Sequence, residues 1–171
     1  MKSGHHGLRD HIRLLLPIFG FIAGVWLLRW VMDAAGTPFF LTRLVSVTVA
    51  SGVSVLLAVL LIYTRRFGSY PSVVVASFFI NLWAEGLISA AILLTMVTGK
   101  TNIYSIPMYS GMEGHFEHLR AHLTLGIAFG TIEDSVVGCL LLWLLRTLIP
   151  VGSGTRKDTS VTDVHGAVKI K

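Results

Sequence analysis

The chain has 171 residues, of which 53% are hydrophobic and 13% are charged, and its mean hydropathy is +0.72. These values exclude an ordinary soluble domain and are typical of a protein that crosses a membrane several times. The single cysteine, Cys139, excludes an intrachain disulfide and a cysteine-based zinc framework. The formal charge of +5 lies in the flanks and loops, without interleaved aromatic residues. That pattern favours contact with a lipid bilayer and argues against nucleic-acid binding.

Four long apolar runs predict an all-α integral membrane protein in which four transmembrane helices pack as a bundle. The predicted spans are residues 14–32, 44–63, 71–98 and 121–146. A signal peptide is the alternative interpretation of the first run, although residues 33–35 make a poor cleavage site. We therefore expect residues 1–149 to form one membrane domain. The polar tail at 150–171 is expected to be disordered and cytoplasmic.

Several of these runs carry helix-packing and helix-boundary signals. Small residues at four-residue spacing allow two helices to approach closely. They are Gly20 and Gly24 in the first run, and Ala50, Ser54 and Ala58 in the second. Pro71 suits the first turn of the third helix, and Gly99 is a typical residue for its end.

The last predicted helix begins well before its apolar part. Ser110 followed by Glu113 is a capping-box pattern, and no proline interrupts the chain from there to Arg146. An uninterrupted α-helix of this length would measure roughly 55 Å, whereas the hydrocarbon core requires only about 20 residues. We therefore expect the first turns of this helix to lie outside the lipid.

One stripe of this helix combines imidazoles near its start with a carboxylate in its middle. At about 100° per residue, the residues that fall within about 40° of one line are His115, His122, Gly126, Phe129 and Glu133. The ordinary interpretation is that the three histidines, His115, His118 and His122, are polar residues at the membrane interface. The alternative is that they bind a divalent metal ion, for which His118 and His122 are the best-spaced pair.

Acidic residues also interrupt the middle of the last two spans. Glu85 lies near the centre of the third span, and Glu133 and Asp134 lie near the centre of the fourth. We expect Glu85 and Glu133 to share a polar pocket with Asn81, while Asp134 points about 100° away toward the second span. No Lys, Arg or His is expected at this depth. A charged acid there costs about 2.5–3.5 kcal/mol, so these acids should be neutral, hold a cation or face a basic partner subunit.

The distribution of basic residues predicts the orientation. Four of the 14 lysines and arginines fall on one side of the predicted topology, and the other ten fall on the side of the two termini. The four are Arg29, Arg43, Lys100 and Arg120. This excess predicts that both termini are cytoplasmic, in a plasma or inner membrane, and that the histidines face the exterior.

Three functions fit these features. The first is the handling of a cation or protons by a mid-membrane site of Glu85, Glu133, Asp134 and Asn81, fed by the exterior histidines. The second is a structural or accessory subunit of a larger membrane complex. The third is a membrane enzyme that acts on a lipid or isoprenoid by general acid catalysis. The expected partners are lipid together with further copies of the chain or other membrane subunits.

Overall fold

The structure, a computed structural model, describes residues 7–106 and 114–149. These residues form helices and connecting segments, with no strand among them. In chain order, the helices are α1 (Leu8–Ala34), α2 (Phe39–Leu44), α3 (Val47–Thr64), α4 (Tyr70–Thr98), α5 (His115–Ala121) and α6 (Ile127–Leu148). A π-helical turn over His122–Gly126, here called the π-turn, joins α5 to α6.

Among the described residues, four helical segments are long and apolar enough to cross a membrane. They are α1, the pair α2 and α3 over Phe39–Thr64, α4, and the continuous segment His115–Leu148. The predictions of an all-α chain and of four apolar helices of membrane-spanning length are thus confirmed. Insertion of these helices into a bilayer stays a prediction.

Local sequence signals account for the helix boundaries. The Ser46 hydroxyl accepts a hydrogen bond from the Val49 N–H at the start of α3, which satisfies one backbone donor left free by the helix. Pro71 lies in the first turn of α4, where a missing N–H costs nothing. Gly99 ends α4 with a φ of +71°, a conformation that a Cβ disfavours. Both predicted boundaries of α4 are therefore confirmed.

Helix α4 is the centre of the packing and contacts α1, α3 and α6. At one end of the molecule, the His11 ring meets the Phe67 ring edge-on, and the Tyr63 hydroxyl donates a hydrogen bond to the carbonyl of Ile149. The start of α1, the end of α3 and the end of α6 therefore lie together. The fully buried apolar side chains between the helices include Leu15, Ile22, Val59, Ile62, Ile80, Ile92 and Leu142.

The segment after α4 folds back along that helix. The Asn102 amide donates hydrogen bonds to the Ala91 carbonyl at 2.9 Å and to the Thr95 hydroxyl at 2.8 Å. The Tyr104 hydroxyl donates to the Trp26 carbonyl of α1 at 2.9 Å. Burial raises the pKa of the Tyr104 phenol above its ordinary range. The start of α5 also lies beside α4, which it contacts, and not beyond the end of that helix.

Two expectations about packing differ from the structure. The last helical segment begins at His115 and is not a uniform α-helix, because the π-turn interrupts it; the capping-box residues Ser110 and Glu113 lie outside the described residues. Gly20 and Gly24 mediate no helix contact within the described part of this chain, since a Cβ built at either one meets nothing there within 4 Å. By contrast, the small residues of α3 are buried as expected: Ala50, Ser54 and Ala58.

Candidate functional site

Two polar side chains, Asn81 and Glu85, project from one face of α4. They are four residues apart and therefore lie one turn from each other. Asn81 is 5% exposed, and the Glu85 side chain is 16% exposed. Because apolar surroundings offer these groups little water, each needs a hydrogen-bond partner from a neighbouring segment.

Two glycines leave room for these side chains. A Cβ at Gly126 would lie 2.8 Å from Glu85 Cδ, and a Cβ at Gly130 would lie 2.9 Å from Asn81 Cγ and collide with Asn81 Oδ1. Both distances are shorter than a non-bonded contact allows. The polar side chains of α4 therefore rest directly on the backbone of the π-turn and α6, and an added Cβ at either glycine would force them to shift.

Glu85, His122 and His118 form a chain of hydrogen-bond distances. His122 Nδ1 lies 2.5 Å from Glu85 Oε2, and His122 Nε2 lies 3.0 Å from His118 Nε2. In the second contact one nitrogen must carry the hydrogen and the other must accept it, because a hydrogen bond from an N–H group needs a lone pair on the accepting nitrogen. His118 is buried, and its Nδ1 has no hydrogen-bond partner among the described residues. We call these three side chains the carboxylate–imidazole chain.

This contact corrects the expectation that no histidine reaches the level of Glu85. The expectation placed the first turns of the last helix, with His115 and His118, outside the lipid and therefore beyond the end of α4. The fold-back instead ties Asn102 to Ala91, which is six residues, or roughly 9 Å, beyond Glu85 along α4. His122 likewise lies beside the middle of α4, where it contacts Glu85, and not beyond the end of that helix.

The π-turn sets which residues of the last segment face α4. A π-helical turn adds about one residue to a turn and so rotates the following residues by about 100° relative to an unbroken α-helix. The face that begins with His118 and His122 therefore continues every four residues through Gly126, Gly130, Asp134 and Gly138. Phe129, which a uniform α-helix would place on this stripe, is instead 66% exposed.

Asp134, and not Glu133, is the acid that bonds to Asn81. The Asn81 amide donates hydrogen bonds to Asp134 Oδ2 at 2.7 Å and to the Ser77 carbonyl at 3.0 Å. Glu133 is exposed and reaches only the lining of the nearby cavity; no hydrogen bond joins it to Asn81 or Glu85 within the described ranges. The rotation produced by the π-turn is the physical reason why Asp134, and not its neighbour Glu133, reaches Asn81.

A cavity of about 140 Å³ lies between α3, α4 and α6. Its polar lining comprises Thr48, Ser51, Asn81, Glu85, Glu133 and Asp134, and its apolar lining comprises Val47, Gly52, Ala84, Ile88 and Gly130. Glu85, Glu133 and Asn81 therefore line one polar pocket, and Asp134 lines it too, beside the hydroxyl-bearing side of α3. The cavity connects the carboxylate–imidazole chain with the Asn81–Asp134 pair in one polar region.

Only part of the geometry expected for a metal site on the three histidines is present. His118 and His122 do meet, at adjacent turns. Within residues 7–106 and 114–149, however, no three His, Cys, Asp or Glu side chains converge in a way that could hold a metal ion. His115 makes no hydrogen bond to the other two in this part of the chain. A metal ion on the three histidines therefore remains an untested prediction.

A further signal for this site lies in the spacing of small residues along the last helical segment. Gly126, Gly130, Asp134 and Gly138 recur every four residues, which is the pattern of a close helix contact. At the three glycines, an added Cβ would collide with a side chain of a neighbouring helix. This spacing could have identified the contact face from the sequence.

Known proteins give no assignment for this site. No family model, no curated protein and no solved structure matches the chain.

Proposed function

We propose that this chain is a membrane protein that handles protons, and that the carboxylate–imidazole chain is its relay. The observation that carries the proposal is the unbroken series of hydrogen-bond distances from Glu85 Oε2 through both ring nitrogens of His122 to His118 Nε2. An imidazole has one nitrogen on each side of its ring. It can therefore accept a proton at one nitrogen and release another from the opposite one.

The transfer conserves the number of protons and needs no other reactant. A proton binds at His118 Nδ1, and the hydrogen on His118 Nε2 moves to His122 Nε2. The hydrogen on His122 Nδ1 then moves to Glu85 Oε2, so one proton enters and one arrives on the carboxylate. Each donor and acceptor in this sequence is within 3.0 Å of the next. The proposed entry point is His118 Nδ1, which is buried beside the Ser105 backbone and ends the chain of hydrogen-bond distances on the side away from Glu85.

The orientation of the chain gives the relay a direction. We retain from the excess of basic residues near both termini the proposal that the termini are cytoplasmic. His118 then lies on the exterior side of Glu85, in a plasma or inner membrane. The relay would carry protons between the exterior side and the polar region around the cavity.

Proton flux into vesicles tests the proposal. The purified protein is reconstituted into liposomes that contain a pH-sensitive dye, and a membrane potential is imposed with potassium and valinomycin. We expect flux above that of empty liposomes. Glu85→Gln and His122→Gln should reduce it by about tenfold or more, because a positioned proton-transfer group contributes at least that much.

The matched controls are His115→Ala and Glu117→Gln. His115 lies one turn before His118 but outside the chain of contacts, and Glu117 pairs with Arg120 at 2.7 Å on the exposed side of α5. Both controls should retain the flux of the unchanged protein. Equal flux in the Glu85→Gln variant and the controls would refute the relay.

A second function, that of an accessory subunit, is favoured by one observation. Glu133 is exposed on the outer face of α6, among the exposed apolar side chains of Phe129, Ile132, Val136 and Leu140. A charged group on a lipid-facing surface is costly, and a basic residue of another subunit would compensate it. The exposed pair Gly20 and Gly24 offers a further surface for helix contact.

Native mass spectrometry of the complex extracted from its own membrane distinguishes this function from the first. A second chain at fixed stoichiometry, which is lost in a Glu133→Leu variant, would favour the accessory subunit. A complex of this chain alone, unchanged by Glu133→Leu, would count against it.

A further inference from the structure

We infer that the cavity between α3, α4 and α6 binds a hydrated monovalent cation, with Asp134 as its charged ligand and the Ser51 hydroxyl as a neutral one. This site goes beyond the proton relay. It stands on different residues, so either may fail without the other.

The lining of the cavity is rich in oxygen and has no base. The polar lining residues are carboxylates, an amide and hydroxyls, and none of the lining residues in the described part of the chain is Lys, Arg or His. Oxygen ligands of this kind suit hard cations. Glu85 already has His122 as its partner, whereas Asp134 and Glu133 have no basic partner within residues 7–106 and 114–149.

Ser51 supplies an observation that is independent of the acids. It is 5% exposed, lines the cavity, and its Oγ has no hydrogen-bond partner among the described residues. A buried hydroxyl without a partner is unfavourable, so this oxygen calls for a ligand or a water in the cavity. Ser51 lines the cavity from α3, and Asp134 lines it from α6.

Asp134 is held in a way that leaves one carboxylate oxygen available. The Asn81 amide occupies Oδ2, and Oδ1 has no hydrogen-bond partner within the described ranges. Asn81 itself is held by its bond to the Ser77 carbonyl, and the absence of a Cβ at Gly130 leaves room for its side chain. The carboxylate is therefore oriented before any ligand arrives, which lowers the entropic cost of binding.

The size and charge of the cavity favour a monovalent ion with part of its water shell. A volume of about 140 Å³ accommodates roughly four waters at about 30 Å³ each, or one ion with fewer waters. Too few carboxylate or imidazole ligands converge in the described residues for a divalent ion held by protein groups alone. One cation balances the carboxylate that Asn81 holds in place, Asp134; Glu133, which also lines the cavity, is exposed.

Equilibrium binding of radioactive sodium to the full chain in detergent tests this inference. We expect saturable binding near one sodium ion per chain, displaced by unlabelled sodium and not by choline. Asp134→Asn preserves the size of the side chain and the bond from Asn81, and it should reduce the affinity by tenfold or more. Ser51→Ala should reduce it by a smaller factor.

Two variants separate binding in this cavity from binding elsewhere on the protein and from the relay. Glu117→Gln removes an acid far from the cavity and should bind sodium normally. His122→Gln should lose proton flux and keep sodium binding, so the relay and the cation site fail separately. Circular dichroism and gel filtration establish that each variant is folded.

Three results would overturn the inference. The first is an absence of saturable sodium binding to the folded, unchanged protein, which would leave the cavity filled by water alone. The second is equal affinity in the Asp134→Asn variant. The third is displacement of sodium by magnesium at lower concentration than by sodium itself, which would contradict the assignment to a monovalent ion.

Discussion

Replacement of Gly130 by alanine tests whether α4 and α6 meet as closely as the site requires. The added Cβ would collide with Asn81 Oδ1 and lie 2.9 Å from Asn81 Cγ. Asn81 is buried and holds two hydrogen bonds, at 2.7 Å to Asp134 and at 3.0 Å to the Ser77 carbonyl. Its side chain cannot move away from Gly130 and keep both bonds.

The expected loss of stability follows from three contributions. Disruption of the two hydrogen bonds costs about 1–3 kcal/mol. Overpacking adds about 1–2 kcal/mol, and the higher helix propensity of alanine returns about 0.5–1 kcal/mol. The free energy of unfolding should therefore fall by about 3 kcal/mol. For a chain of this size, that corresponds to a decrease of roughly 6–12 °C in melting temperature.

The assay is thermal unfolding in detergent, followed by the fraction of protein that elutes as a single species in gel filtration after heating. Gly24→Ala is the matched control, because a Cβ at Gly24 meets nothing within 4 Å in the interior of α1. Its melting temperature should stay the same or rise slightly. A Gly130→Ala variant as stable as Gly24→Ala would refute the close contact and, with it, the described position of Asn81.

Three further predictions concern other parts of the same framework. Gly138→Ala should destabilise the protein by about 1–3 kcal/mol in the same assay, because its Cβ would lie 2.7 Å from Val73 Cγ1. Adding Val73→Ala to this variant should recover part of the lost stability. Purely additive effects of the two substitutions would contradict the contact. Asn102→Ala should lower the free energy of unfolding by about 1–3 kcal/mol, because it removes two hydrogen bonds to α4. Lys100→Ala, at an exposed position, should change it little. Equal effects of the two substitutions would argue against the fold-back. Tyr104 should stay neutral at about pH 10, where an ordinary tyrosine ionises, since burial raises its pKa. Absorbance titration at that pH should therefore give the same phenolate signal for Tyr104→Phe as for the unchanged protein, and a smaller signal in the variant would contradict the burial.

The apolar helices were predictable because they depend on composition and local signals alone. Pro71 and Gly99 mark the limits of α4 through backbone properties that act within a single turn. The residues of the site were also identifiable, since Asn81, Glu85 and Asp134 interrupt runs that are otherwise apolar. Any such residue must find a partner, whatever the fold.

The pairing of those residues was not predictable in the same way. The partner of Glu85 depends on the long-range placement of α5 and the π-turn beside α4, and the fold-back of Asn102 and Tyr104 onto α4 and α1 is likewise a long-range contact. The choice of Asp134 over Glu133 depends on a π-turn, and a helical wheel of constant angle cannot represent it. The glycines at 126 and 130 were the available clue to the contact face.

The hydrogen bond between the two imidazoles tests the relay most directly. Solid-state ¹⁵N NMR of the histidine-labelled protein in lipid bilayers measures the protonation of each ring nitrogen and the coupling across an N–H···N bond. We predict a correlation between His118 Nε2 and His122 Nε2, with one hydrogen shared between them. In the Glu85→Gln variant, this correlation should be lost or shifted in frequency. Two imidazoles that are both protonated at Nε2, or that show no correlation in the folded protein, would contradict the carboxylate–imidazole chain and the function proposed for it.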